Sequence, residues 1–469
     1  MEETKKTAAE QLKDKLLLNS KNGGFILTQQ EIEKSEAFCE GYKKFLDTGK
    51  TEREITTNTI RLLINEGYRE FCPGTKYTAG DRVYSNNRGK ALILATIGTA
   101  PLAQGVRIAA AHIDSPRLDL KPNPLYEDAQ LALFKTHYYG GIKKYQWTAI
   151  PLALHGVIVK GDGSVVNVSI GEDENDPVFC VTDLLPHLAE EQVKRPLHQG
   201  IKGEELNILI GCMPFRDDKA SETVKLNIMN ILNEKYGIVE EDFLSAELEA
   251  VPAGKARDLG FDRGMVAAYG HDDRVCAYTA LMAALDCKEP AFTTVTVLAD
   301  KEETGSEGNT GLDSAYLKYF IADLAEPHGV NARTVLSASK CLSADVNAAF
   351  DPTFPDVLDR RNCAYLNYGV CLTKYTGSRG KSGTSDCSAE FFGEIRSLFN
   401  AEKVLWQTGE LGKVDLGGGG TVAKFIAGLN VDVLDVGVPV LSMHSPLEIV
   451  SKLDVFCAYR GFYEFLNAK

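Results

Sequence analysis

The run Thr293-Thr294-Val295-Thr296-Val297-Leu298-Ala299 passes directly into Asp300-Lys301-Glu302-Glu303-Thr304-Gly305-Ser306. The first seven residues are β-branched or apolar and end at a charged turn, so they read as a buried strand. Two adjacent glutamates therefore sit at a strand's end. Successive side chains leave a strand in different directions, so Glu302 and Glu303 cannot easily serve one atom, although both can reach one small site. One carboxylate could hold a metal while its neighbour moves protons, as hydrolysis by activated water requires. Charge runs are usually solvated surface. Here Thr304-Gly305-Ser306 makes a tight turn instead of a helical continuation, which favours a shaped site.

Working outward, Ala91-Leu92-Ile93-Leu94-Ala95-Thr96-Ile97-Gly98 and Val106-Arg107-Ile108-Ala109-Ala110-Ala111-His112 are further strand-like runs, apolar enough to be covered on both faces. The first ~80 residues carry helical spacing, as in Ala37 to Leu46 and Thr59 to Ile64. An Ala/Leu-rich helix follows Asp273, another lies near 312 to 324, and Thr334 to Ser339 reads as a strand. This alternation predicts an α/β fold, a mostly parallel sheet sandwiched between helices. From about 123 to 257 the texture changes to short alternating strands, Gly-Asp turns and the acidic stretch Gly171 to Pro177. That segment reads as a smaller, mainly β domain inserted into a host formed by 1–122 and 258–469.

Composition narrows the classes. The 469 residues are 44% hydrophobic and 25% charged, which matches an ordinary globular protein with a substantial core. A formal net charge of -14 offers no general attraction for nucleic acid or anionic lipid. No apolar run reaches the length of a membrane span, and the N-terminal sequence lacks the apolar core of a secretory signal. The 11 cysteines have no Cys-x-x-Cys pair, so reduced thiols and a cytoplasmic location are expected.

Five segments place carboxylates or histidines at strand ends or in the loops beyond them, where open α/β sheets build active sites. They surround His112 and Asp114, His271 to Arg274, Glu302 and Glu303, Asp345, and His444. Two divalent ions about 3.5 to 4 Å apart need a few nitrogen and oxygen donors each and a carboxylate between them, which this inventory can supply. In His112-x-Asp114 the two side chains share a face of an extended segment, so the carboxylate could orient the imidazole. Asp272 and Asp273 have a blander reading as caps of the helix that begins near Val275.

The order His112-x-Asp114-Ser-Pro-Arg, Asp272-Asp273-Arg274, Glu302-Glu303-Thr-Gly-Ser, Ser-Ala-Asp345 and Met-His444-Ser resembles the aspartyl aminopeptidase family of dinuclear zinc exopeptidases. Tyr139-Gly140-Gly141-Ile142 and Val433 to Gly437 extend the likeness over nearly the whole chain. The resemblance implies that His112, Asp272 and Asp345 hold one zinc ion, and Asp272, Glu303 and His444 the other, with cobalt or manganese as further candidates. It makes Glu302 the general base and gives Asp114 the task of steering His112. Asp272 is taken as the bridge because Cys276 to Leu281 then falls in register, and Asp273 stays open as its alternative.

The same resemblance implies peptide substrates cut after their first residue, with a bias to Asp and Glu, and a tetrahedral homo-oligomer of twelve subunits in which the insertion serves as a dimerisation and lid domain. The family's histidines beyond the aspartate ligand are replaced here by Ala348 and Asp351. An acidic side chain needs a cation, and Arg379 and Lys381 in the loop Gly377 to Gly383 are the candidates. Rival readings are a deacylase or carboxypeptidase with the same metal pair, and a non-catalytic assembly protein that binds cargo.

Overall fold

The computed structural model describes residues 6–469. Among them, nine strands form the main sheet in the order Arg69–Glu70, Arg82–Asn87, Ala91–Thr96, Thr294–Ala299, Arg107–His112, Lys340–Ser343, Asp432–Gly437, Val370–Thr373 and Trp406–Thr408. The four central strands, from Thr294–Ala299 to Asp432–Gly437, are mutually parallel. Antiparallel pairings bring in Ala91–Thr96 on one side and Val370–Thr373 on the other, so the sheet is mixed.

Alternate side chains of each central strand enter different cores, as the period of two demands. Leu92, Leu94, Ala109, Ala111 and Leu298 join the core beneath the helices Gln29–Thr48, His271–Asp286 and Lys452–Asn467. Ile93, Ala95, Ile108, Ala110 and Val297 face the helices Tyr316–Ala325 and Ala332–Ser337. Helices thus cover both faces, which explains why these strands are continuously apolar.

The stretch Thr334 to Ser339, expected as a strand, forms most of the helix Ala332–Ser337 and its exit. The Asn331 side chain caps that helix by accepting the Arg333 backbone N–H, and Val335 and Leu336 are buried on its inner side. The strand itself comes one segment later, at Lys340–Ser343.

A second sheet of seven strands, antiparallel throughout, is built entirely from residues 117 to 252 around its own core. Its strand Arg117–Asp128 begins only five residues beyond His112, so it straddles the border expected at 122. A third sheet of five short strands joins Met265–Ala268 to Glu448–Ser451 and Pro439–Leu441. It brings the segment just before 272 against the two segments that flank 444. No helix among the described residues is long and apolar enough to cross a membrane.

Candidate metal centre

The carboxyl ends of the central parallel strands converge on one site. His112 ends its strand, Glu302 and Glu303 follow the strand that stops at Ala299, and Asp345 lies two residues beyond Ser343. Asp272 and Asp273 open the helix His271–Asp286 with non-helical dihedral angles, and His444 follows the strand Pro439–Leu441. A close crossing sets Asp345, because a Cβ on Gly437 would collide with the Asp345 carbonyl.

Asp272 is central. Its Oδ1 lies 3.2 Å from His112 Nε2 and its Oδ2 3.1 Å from His444 Nε2. Glu303 Oε2 is 3.5 Å from His444 Nε2, while Asp345 Oδ1 and Glu302 Oε2 are each 3.9 Å from His112 Nε2. Each imidazole is anchored through its other nitrogen. His444 Nδ1 is 2.8 Å from the Gly141 carbonyl, and His112 Nδ1 is 3.1 Å from the Asp114 carbonyl. A carbonyl can only accept, so each Nδ1 carries a hydrogen and each ring is turned with its Nε2 toward Asp272.

Donor atoms close enough to share an ion form two overlapping groups, His112 with Asp273 and Asp345, and His112 with Asp272 and Glu303. Asp272 and Asp273 thus both reach the site. They differ in what else they do: Asp273 spends Oδ2 on the His112 backbone N–H at 3.3 Å, whereas the oxygens of Asp272 face two different imidazoles.

Burial, reinforced by neighbouring carboxylates, pushes Glu303 and Asp345 well above the usual carboxylate range, and burial raises Asp273 and Glu302. Burial works against the His444 imidazolium, but Asp272 outweighs it and holds the group up at about 10. Among the described residues, then, the centre holds more carboxylates than its two imidazoles can neutralise. Glu303 Oε1 is in addition buried with no hydrogen-bond partner.

Two further carboxylates organise these side chains. Asp114 accepts the backbone N–H groups of Glu302 and Glu303 at 3.1 and 3.2 Å, and its Oδ1 is 3.3 Å from His112 Nδ1. Glu448, unnoticed in the sequence, accepts the backbone N–H of Asp272 at 3.0 Å and that of His444 at 2.6 Å. Nothing in the order of residues pairs positions 272 and 448, because only the third sheet makes them neighbours.

Arg379 and Lys381 are not brought to this cluster. Lys381 pairs with Asp386 at 2.9 Å and lies over the Tyr375 ring, beside a small separate cavity. At His444 a larger cavity of about 570 Å3 opens, with Lys143, Asp351, Phe354, Leu358 and Met443 in its wall.

The family model described as "Aminopeptidase I zinc metalloprotease (M18)" matches residues 45–466. The "Probable M18 family aminopeptidase 1" of Clostridium acetobutylicum is 52% identical over 460 residues, covering 96% of this chain and 99% of the relative. The crystal structure of the M18 aminopeptidase from Thermotoga maritima superposes with a TM-score of 0.91 at 44% identity, over 96% of this chain and all of that one. The S. cerevesiae mApe1 dodecamer, 19% identical, shares the fold with a TM-score of 0.75 over 94% of this chain and 98% of its own.

Proposed function

The chain belongs to the aminopeptidase I zinc metalloprotease (M18) family, and on that premise we propose a dinuclear exopeptidase that removes the first residue of peptides. The observation that carries this reading is the Asp272 carboxylate, each oxygen of which faces a different imidazole nitrogen. The donor set suits two divalent cations: two oriented imidazoles, an excess of buried carboxylates and an unpartnered Glu303 oxygen. His112, Asp272 and Asp345 would hold one ion, and Asp272, Glu303 and His444 the other, with zinc the foremost candidate and cobalt and manganese behind it.

When bound, such ions polarise the scissile carbonyl and acidify water. Glu302 stands beside His112 and burial raises its pKa, so it is suited to take a proton from the attacking water and deliver it to the leaving amine. Asp114 fixes the turn that carries Glu302 and the ring of His112 together. A free α-amino group bound beside one of the ions would restrict cleavage to the first residue, which a blocked amine could not do.

A bias to acidic first residues would require a cation in the cavity at His444. Lys143 already lines it, whereas Arg379 and Lys381 would have to approach from a separate loop. The architecture suits a three-layer α/β/α catalytic domain at 1–122 and 258–469 with residues 123–257 as the insertion. A cytoplasmic homo-oligomer, a tetrahedral dodecamer in its fullest form, completes the reading.

Stripping the protein with a chelator and restoring zinc, cobalt or manganese tests it, with aminoacyl-nitroanilides and N-acyl amino acids as substrates. Metal-dependent turnover of the free-amine substrates is the expected result. Turnover of N-blocked substrates alone, or full activity after both ions are gone, would overturn the proposal.

A further inference from the structure

One corner of the second sheet reaches into the metal centre. The strand Leu131–Tyr139 ends there, and its last residue and the next two each meet a different member of the site. Tyr139 is buried and donates its hydroxyl to Asp114 Oδ2 at 2.7 Å. Gly140, at φ 78°, leaves beside Glu303 the room a side chain would take, since Glu303 Oε2 would lie only 3.1 Å from a Cβ placed there. The Gly141 carbonyl receives His444 Nδ1.

Tyr139 is itself held from behind. It lies opposite Arg117 in the antiparallel pair, with the guanidinium carbon 3.9 Å from its ring centroid. Arg117 is buried and braced by Glu52 at 3.3 Å and Glu249 at 3.3 Å. The hydroxyl therefore has little freedom, and it aims at Asp114, which touches His112, Glu302 and Glu303 together.

We propose that Tyr139-Gly140-Gly141 is a positioning corner for the metal centre, in which the Tyr139 hydroxyl fixes Asp114 and thereby the register of His112 against the Glu302-Glu303 turn. The inference rests on the dinuclear reading above. Tyr139 touches no reacting atom; it acts through Asp114. Loss of a partner one step removed from a metal's ligands, as Asp114 is, typically changes metal affinity or activity by about 10- to 100-fold, and Tyr139, one step further out, should reach the lower end of that span.

The test is Tyr139→Phe in the full-length protein, which keeps the ring over Arg117 and removes only the oxygen, with the half-exposed neighbour Tyr138→Phe as control. Zinc affinity is read by competition with a chromophoric chelator, and kcat and KM are read separately at saturating zinc. The expected result is about tenfold or greater loss of zinc affinity and a fall in kcat with little change in KM, for Tyr139→Phe and not for Tyr138→Phe. Wild-type zinc affinity and kcat in Tyr139→Phe would overturn the proposal. A double-mutant cycle with Asp114→Asn separates a route through Asp114 from general damage: losses smaller together than their sum support that route, and strictly additive losses refute it. If the wild-type protein proved indifferent to zinc, the dinuclear reading would fail instead, whatever the variant did.

Discussion

Glu302 and Glu303 differ by one position in the chain and by their partners in space. Glu302 lies beside His112 and Glu303 beside His444, so on the roles proposed above one substitution should separate proton transfer from metal holding. Glu302→Gln should keep both ions and lose about 10²-fold or more in kcat, the span of general-base effects. Metal analysis beside steady-state kinetics checks this, and loss of an ion from that variant would give Glu302 a ligand's role instead. Glu448→Gln should behave differently. Its carboxylate accepts two backbone N–H groups, and an amide nitrogen at either place would set donor against donor. Zinc affinity should fall by about tenfold or more as Asp272 and His444 drift apart, measured by chelator competition. At this scale the sequence was legible where spacing alone makes neighbours, as in His112-x-Asp114. It was silent on Glu448, whose partners lie at 272 and 444 and meet it only through folded sheets.

Among elements, legibility followed the pattern of burial. The strands Arg107–His112 and Thr294–Ala299 announce themselves because both of their faces are covered, leaving no polar alternation to blur them. The helix Ala332–Ser337 misleads for the opposite reason: six residues are too few to show helical spacing, and its β-branched and apolar residues imitate a strand. Between elements, His155 on the strand Leu152–Val159 meets Glu54 on the helix Glu52–Asn65 at 2.8 Å and Glu172 at 3.2 Å. Burial opposes its protonation, but Glu172 and Glu54 prevail and raise its pKa above the ordinary value. A histidine raised on folding stabilises fully below its unfolded pKa of about 6.5, and that contribution is lost as pH climbs through the higher folded value. Thermal unfolding should therefore show the wild type losing part of its advantage over His155→Gln as pH rises above about 6.5. A constant difference between pH 5 and 9 would contradict the assignment.

For the whole molecule, one departure from a self-contained surface lies in the segment between the strands Cys180–Val181 and Ile208–Gly211 of the second sheet. Leu184, Leu185, Leu188, Val193 and Leu197 are all exposed there, and charged residues would be the ordinary occupants. The homo-oligomer proposed above would give those side chains a place to go. Replacing Leu188 and Val193 together by Asp should lower the sedimentation coefficient toward that of smaller species, while thermal stability of the single chain changes little. An unchanged sedimentation profile would direct the search for the interface elsewhere. The positioning corner at Tyr139-Gly140-Gly141 has a different consequence, for anyone who would edit the molecule. Residues 123–257 look like a cassette that could be trimmed away to leave a smaller catalyst, yet Tyr139 and Gly141 of that stretch bond Asp114 and His444, and Gly140 between them lies close beside Glu303. A truncated version would lose part of the scaffold around its own catalytic atoms. Any graft between relatives therefore has to carry that corner, and the strand that delivers it, as cargo inseparable from the host.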